Sequence, residues 1–500
     1  MISENRIYQP YYTKSEPIVK YMVSLLKLSG SEKILEPCAG DGVFLDPIIK
    51  NFSNVQIDAF ELNENSYSNL LVKYSDRENI KVKKTDTLTD AGLQFLCSMG
   101  GGYDAVIANP PYGAWRDHGE RKKLKKSYNG FYAKESYSLF LYRCTEALNE
   151  NGRLSFIIPD TYLNLHMHKH IRKYILTHTK IKEMALFPSS YFPGVNFGYA
   201  NLSIIALEKC SDYKSNLENE FTIIKGFNSV EELGNNNIET LKRIKLKQKD
   251  VLQTTDYSFI TNGNKSLVDC INSTQLKIGD ICDCVTGFYS GNDKEYLKVK
   301  NKTIRNSKNY DLVKLDLVEF NCSSNIVNGI TNDKEYVPIV KGGNRKYYKP
   351  DDWFMLWSEG KVAFYKADKK ARYQNSAYYF RKGIGVPMVS SSSITAALIE
   401  NRLFDQSIVG IFPKDESLLY YLLAFFNSPT ANKLIRTINS STNNSSNYIK
   451  KVPFTKPSDK LIQDINKRIE IILNEYKSTG LFSHELEEQN NKDIKKLYGF

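Results

Sequence analysis

Long apolar runs are missing from this chain of 500 residues. The two longest, 202–207 and 418–426, fall far short of the ~20 residues that a membrane span requires. Cysteine is sparse: eight residues, far apart and mostly inside apolar runs, fit a reducing compartment rather than a disulfide framework. The N-terminal stretch has no basic segment followed by an apolar one, so export is not expected. Acidic residues are the minority, 56 against 68 Lys and Arg, for a net charge of +12. Up to residue 210 there are 26 basic and 22 acidic groups, and after it 42 and 34. That balance points to a polyanionic partner, more strongly in the second part, although a lysine-rich genome would produce the same bias. With 41% hydrophobic and 25% charged residues the chain is neither disordered nor a membrane protein, and its length suits two to four domains. A soluble, cytoplasmic protein is the expectation.

What is present is a βα rhythm over residues 1–210. Short β-type runs at 33–36, 56–60, 80–84, 104–108, 153–158 and 182–187 alternate with helical stretches near 43–51, 63–74, 89–97, 134–149 and 162–178. Ser15 and Pro17 start an earlier helix with Ile18, Met22, Leu25 and Leu26 along one face. A last run at 199–207 follows its predecessor without a helix and so pairs antiparallel. This predicts an α/β fold with a doubly wound, mostly parallel sheet of seven strands, one of them an antiparallel edge strand. Residues 211–255, rich in Asn, Lys and Glu, read as a connection with one strand at 221–225. Residues 256–458 carry short β-like runs with many Tyr, Gly and Lys, and 459–500 a C-terminal helical segment with Leu461, Ile465, Ile469 and Ile472 facing one way.

Two motifs carry chemistry. In Glu36-Pro37-Cys38-Ala39-Gly40-Asp41-Gly42, between the first strand and a helix, the glycines allow close backbone approach to a ligand. Glu61, ending the second strand, is placed to accept from both hydroxyls of a ribose, and Asp86, closing the third, from an adenine amino group. The second motif, Asn109-Pro110-Pro111-Tyr112, follows the fourth strand. Alone it is a proline turn. At that strand end it lies in the crevice where doubly wound sheets bind ligands.

In this order the motifs resemble the gamma class of N6-adenine DNA methyltransferases, and the run 109–115 is similar to the PstI and BsuBI modification enzymes within it. The resemblance implies a Rossmann-like S-adenosylmethionine-dependent catalytic domain at 1–210 and an α+β target-recognition domain at 256–458. It implies a cofactor set of Thr13, Glu36, Pro37, Cys38, Ala39, Gly40, Asp41, Gly42, Glu61, Leu62, Asp86, Thr87 and Asn109, and matches Phe192 to an aromatic that sandwiches the target base. In such an enzyme the Asn109 side-chain oxygen and the Pro110 carbonyl accept the amine's two N–H bonds and aim its lone pair at the sulfonium methyl. The base must be flipped out of the duplex, with Tyr112 and Phe192 stacking on it.

The run Arg116, Arg121, Lys122, Lys123 beside that pocket suits phosphates, although an isolated run of this kind is a solvated helix face. In the second part Thr286–Lys294, Lys341, Lys346 and Tyr347 match the recognition region, with Lys294 also set to touch DNA. Expected partners are double-stranded DNA, bound as a monomer, and a cognate restriction endonuclease, with no membrane. In the cluster His166, His168 and His170, His166 and His170 could share a helical face as metal ligands, but no third ligand is in evidence, so no metal is expected. Alternatives are N4-cytosine, an RNA base or a glutamine as methyl acceptor, or a catalytically silent DNA-recognition component.

Overall fold

The computed structural model describes residues 15–112, 116–191, 201–235, 238–262, 265–390, 393–439 and 442–499. The chain divides between Thr261 and Asn262 into two compact units.

In the first unit, α1 (Glu16–Leu26) begins at Ser15 with proline in its first turn and buries Ile18, Val19, Met22 and Leu26. Then follow β1 (Lys33–Glu36), α2 (Leu45–Asn51), β2 (Gln56–Glu61), α3 (Glu64–Lys73), β3 (Ile80–Lys84), α4 (Ala91–Ser98), β4 (Tyr103–Ala108), α5 (His118–Ser127) and α6 (Tyr137–Glu146). The unit continues with β5 (Leu148–Pro159), α7 (Lys169–His178), β6 (Thr179–Phe187), β7 (Leu202–Lys209), α8 (Tyr213–Glu218), β8 (Glu220–Lys225), β9 (Lys242–Lys247) and α9 (Gln248–Gln253). One sheet runs β3-β2-β1-β4-β5-β7-β6-β8-β9. Its first five strands are parallel, and β7, expected at an edge, instead lies between β5 and β6 and runs antiparallel to both, each of them pairing along its length. Ile34, Leu35, Val106 and Ile107 are buried on both faces because helices cover the sheet on each side. Strand order reverses between β1 and β4, whose paired residues Leu35 and Val106 lie just before the two motifs.

Nine strands replace the expected seven, and 211–255 is no connection. Strand β8 buries Phe221, Ile223 and Ile224 and pairs parallel with β6, and β9 closes the edge antiparallel to β8. The sequence of β9, Lys-Arg-Ile-Lys-Leu-Lys, has no fully buried position, so it lacks the apolar signal of a strand while carrying the lysines that protect a sheet edge. Gln248 then locks the extension. Its buried amide donates to Leu176 O (2.8 Å) and Thr179 O (2.9 Å), and its oxygen accepts from Ile181 N and Asn219 Nδ2, both at 2.8 Å.

The second unit is α+β, with two four-stranded sheets. One joins Cys282–Thr286, Ile408–Pro413, Gly383–Pro387 and Ala397–Ile399, all antiparallel. The other joins Leu297–Val299, Trp353–Leu356, Tyr336–Val340 and Leu403–Phe404. An aromatic core of Phe288, Trp357, Tyr365, Tyr379, Phe404 and Phe412 fills the space between loops and strands. The segment taken as a separate C-terminal helical piece belongs to this unit's body. Helices Asp459–Thr479 and His484–Tyr498 pack on Leu419–Asn427, with Tyr498 stacked on Phe425 at 5.3 Å. Ile465, Ile469 and Ile472 are buried as the spacing predicts, joined by Ile462, while Leu461 lies only part-buried.

Candidate active site at the carboxyl edge of the sheet

The turn after β1 curls back on itself: Ala39 N donates to Phe60 O (2.8 Å) and Gly42 N to Ala39 O (2.7 Å). Gly40 and Gly42 both have left-handed backbones, φ 54° and 71°. A Cβ at Gly42 would also stand 2.6 Å from Tyr74 Oη, so only glycine fits between the turn and α3. Tyr74 Oη in turn donates to Asp46 (2.7 Å), which ties the turn to α2.

Glu61 faces this turn. One carboxylate oxygen accepts from Gly40 N (2.8 Å) and the other from Asn63 N (2.6 Å). Thr87 Oγ1 donates to Pro37 O, so the ends of β1, β2 and β3 form one bonded unit. Glu36 is 2% exposed, and its Oε2 is buried without a hydrogen-bond partner. Burial pushes its carboxyl well above the ordinary range, and the neighbouring Glu61 and Asp46 push it further.

The second motif sits against the first. Cys38 Sγ donates to Asn109 O (3.4 Å), bridging the ends of β1 and β4. Ser136 Oγ donates to Pro111 O (2.9 Å), and Tyr112 Oη to Ile157 O (3.1 Å) on β5. The turn is thus braced from three sides. Neither Cys38, Ser136 nor Ile157 had a local sequence signal as a brace, because each contact joins residues far apart in the chain.

Several predicted residues are placed differently from expectation. Arg116 does not face outward to a phosphate. It is buried, and its Nη2 contacts both oxygens of Asp86, at 2.8 and 2.7 Å. Asp86, expected to accept from an adenine amine, is thereby engaged by that guanidinium. Tyr112 is buried rather than presented as an open stacking face. In the second unit Lys341 is held by Asp293 (2.7 Å) and Asp405 (2.9 Å), while Lys346 and the buried Tyr347 both bond Glu487. These three are internal contacts, contrary to the DNA-facing role read from the sequence. The conspicuous run 286–294 is also partly structural, since a Cβ at Gly287 would collide with Phe404 O at 1.9 Å. Arg121 is part-buried, and Lys122, Lys123 and Lys294 are exposed. Thr13 and Phe192 lie outside the described residues. Among the described residues no three side chains are grouped to hold a metal: His166 bonds Asp256 (2.9 Å) and His168 bonds Glu135 (2.8 Å). No helix among them is long and apolar enough to cross a membrane.

A glycine turn at β1, a carboxylate at the end of β2 and a braced Asn-Pro-Pro-Tyr turn at β4 thus meet at one edge of the α/β sheet. Residues 18–192 match the model of the Eco57I restriction-modification methylase family. The type II methyltransferase M.HindII of Haemophilus influenzae is 27% identical over 310 residues, which is 56% of this chain and 53% of that protein. M.BsuBI of Bacillus subtilis is 29% identical over 177 residues, 35% and 30% of the two chains. M.AccI of Acinetobacter calcoaceticus is 31% identical over 150 residues, 29% and 26% of the two. The chain therefore spans about half or less of the length of these relatives. Among solved structures, a nuclease-deletion mutant of the Type ISP restriction-modification enzyme LlaGI with a DNA substrate mimic has a similar fold. It gives a TM-score of 0.55 at 13% identity, over 93% of this chain and 55% of that one. A DrdV–DNA complex scores 0.55 at 12% identity, over 93% and 58%.

Methylases of this family take their methyl group from S-adenosylmethionine. The residues present fit it: a buried carboxylate oxygen without a partner at Glu36, a left-handed glycine turn and the Glu61 carboxylate converge on one strand edge.

Glu36 yields a prediction. A carboxyl whose folded-state pKa is raised above its unfolded value holds its proton more tightly in the fold, so stability falls as pH rises from about 4.5 through the folded value. Glu36→Gln removes that cost. Calorimetry of the ligand-free protein at neutral pH should show a raised Tm, by ~2–4 °C for each kcal/mol regained. Cofactor affinity should fall in the same variant. An unchanged Tm would mean that the fold already compensates the charge.

Proposed function

We propose that this chain is a site-specific DNA methyltransferase that transfers the methyl group of S-adenosylmethionine to the N6 amine of an adenine, within a restriction-modification system. The observation that carries the reading is the Cys38–Asn109 bridge of 3.4 Å, which joins the glycine turn to the Asn-Pro-Pro-Tyr turn at the point of strand-order reversal. The bound cofactor supplies an electrophilic methyl on a sulfonium, so the protein needs no strong base. Glu36 and Glu61 hold its polar ends. The Asn109 side-chain oxygen and the Pro110 carbonyl accept the two amine hydrogens and pull the nitrogen's lone pair out of conjugation with the ring. Proline fixes the backbone of the turn, so both acceptors are preorganised. Held there, S-adenosylmethionine would supply the methyl and be left as the neutral thioether, and the methylated amine would release one proton to water. The target must leave the duplex for its amine to reach this edge. Lys122, Lys123 and Lys294, exposed, suit the phosphate backbone, and the second unit would read the sequence. The enzyme acts as a cytoplasmic monomer on DNA, with a cognate restriction endonuclease as its partner in the system.

The test is incubation with labelled S-adenosylmethionine and unmethylated duplex DNA, followed by nucleoside analysis. N6-methyladenine in one recurring short motif is the expected product. N4-methylcytosine would retain the mechanism and replace the substrate. Binding of the cofactor without any transfer to DNA would overturn the reading.

A further inference from the structure

A cavity of about 520 Å³ opens on the surface of the first unit. Three separate stretches line it: α5, the loop 130–134, and the turn 166–170 that begins α7. They contribute five cationic side chains and three imidazoles, and no carboxylate lies among the described lining residues. Lys122, Lys125, Lys134, His118 and His170 are exposed, and Lys169 is half-buried. The nearby acids are used elsewhere. Asp256 holds His166, Glu135 holds His168 beneath the floor, and Asp117 and Glu120 form the capping box of α5. Such a concentration of like charge repels itself unless an anion occupies it.

We infer that this cleft takes a run of the phosphodiester backbone of DNA and that His170 in its wall couples this grip to proton uptake. The inference rests on the reading of the chain as a DNA methyltransferase and adds where the strand lies and what tunes its hold. A solvated helix face would be confined to α5. Here the lysines come from three segments that only the fold assembles, around a hollow rather than a ridge. His170 faces Lys169, Lys173 and His166 and stacks on Phe131 at 6.1 Å. Partial burial and those cations hold it below its ordinary pKa. A phosphate opposite it favours the charged ring, so binding draws in a proton and tightens as pH falls.

The experiment is fluorescence anisotropy of the full chain with a mixed-sequence duplex, titrated across salt concentration and pH. Each phosphate contact contributes ~0.9 to the slope of log affinity against log salt, so a Lys125→Ala, Lys134→Ala, Lys169→Ala variant should lose roughly 2–3 from that slope. Its affinity for S-adenosylmethionine should not change, which reports an intact fold. The wild type should bind several-fold tighter at about pH 6 than at about pH 8, and a His170→Gln variant should lose most of that difference. An unchanged salt slope in the lysine variant overturns the cleft, and an unchanged pH response in the histidine variant overturns the proton coupling. If the wild type transfers no methyl to DNA but the lysine variant still loses slope, the methyltransferase reading fails and the cleft stands. If transfer is intact and the slope does not move, the reverse holds.

Discussion

Replacing Asn109 with alanine is expected to lower methyl transfer by ~10²–10³-fold or more while leaving cofactor affinity within about twofold of wild type. The size follows from analogous sites, where removing one preorganised polar contact to a reacting group costs that much in kcat. The selectivity follows from the geometry. The part of Asn109 that meets the glycine turn is its backbone oxygen, which Cys38 Sγ bonds at 3.4 Å, and alanine keeps it. What alanine removes is the side-chain oxygen, which the fold holds out of water. Ser136 and Tyr112 continue to brace the turn from α6 and β5. The loss should therefore fall on kcat with KM for DNA nearly constant, as expected for an interaction realised in the transition state. Asn109→Asp keeps an acceptor in place and should retain more activity than alanine. A merely structural Asn109 would instead show as a fall in Tm and cofactor affinity in both variants. Transfer within tenfold of wild type in Asn109→Ala would refute the role.

The central sheet was legible because its strands are nearly continuous apolar runs, each followed by a helix. The sequence alone places the motifs at the ends of β1 and β4, and the strand order makes those ends neighbours. Legibility failed where stabilisation is not local. Strand β9 is held by its pairing with β8 and by the Gln248 amide at its end, and neither leaves a period in the sequence. Arg116 and Asp86 are 30 residues apart, and Lys346 and Glu487 are 141 apart. A lysine paired inside a unit has the same sequence signature as one facing a phosphate. Charge runs therefore located the basic stretch on α5 correctly as exposed, yet could not separate Lys122 and Lys123 from Arg116 or Lys341. Conversely, the three clustered histidines divide among three tasks: an ion pair with Asp256, a buried bond to Glu135, and a ring stacked over Phe131.

The second large effect is expected at Glu61. Its two oxygens already hold Gly40 N and Asn63 N, and in the proposed reading each keeps lone-pair capacity for a ribose hydroxyl. Hydrogen bonds to a charged acceptor contribute about 1.5–3 kcal/mol each. Glu61→Gln keeps the shape and changes the chemistry. Whichever way the amide is turned, an N–H group replaces one acceptor, so either Gly40 N or Asn63 N meets a donor, and the negative charge is gone. Affinity for S-adenosylmethionine should fall by roughly 10²-fold, about 2.8 kcal/mol. Isothermal titration calorimetry of the full chain measures it directly. Because the turn around Gly40 loses its anchor, the variant should also lose transfer at limiting cofactor and recover part of it at saturation, the reverse of the pattern at Asn109. If affinity stays within threefold, Glu61 serves only the turn, and the ribose is held by another group at the end of β2. Glu61 is adjacent to Glu36 and contributes to its raised pKa, so neutralising Glu61 should also bring the Glu36 carboxyl down toward its ordinary value. Glu36→Gln should therefore raise the Tm less when made in the Glu61→Gln variant than when made in the wild type, and that shortfall measures the coupling between the two carboxylates.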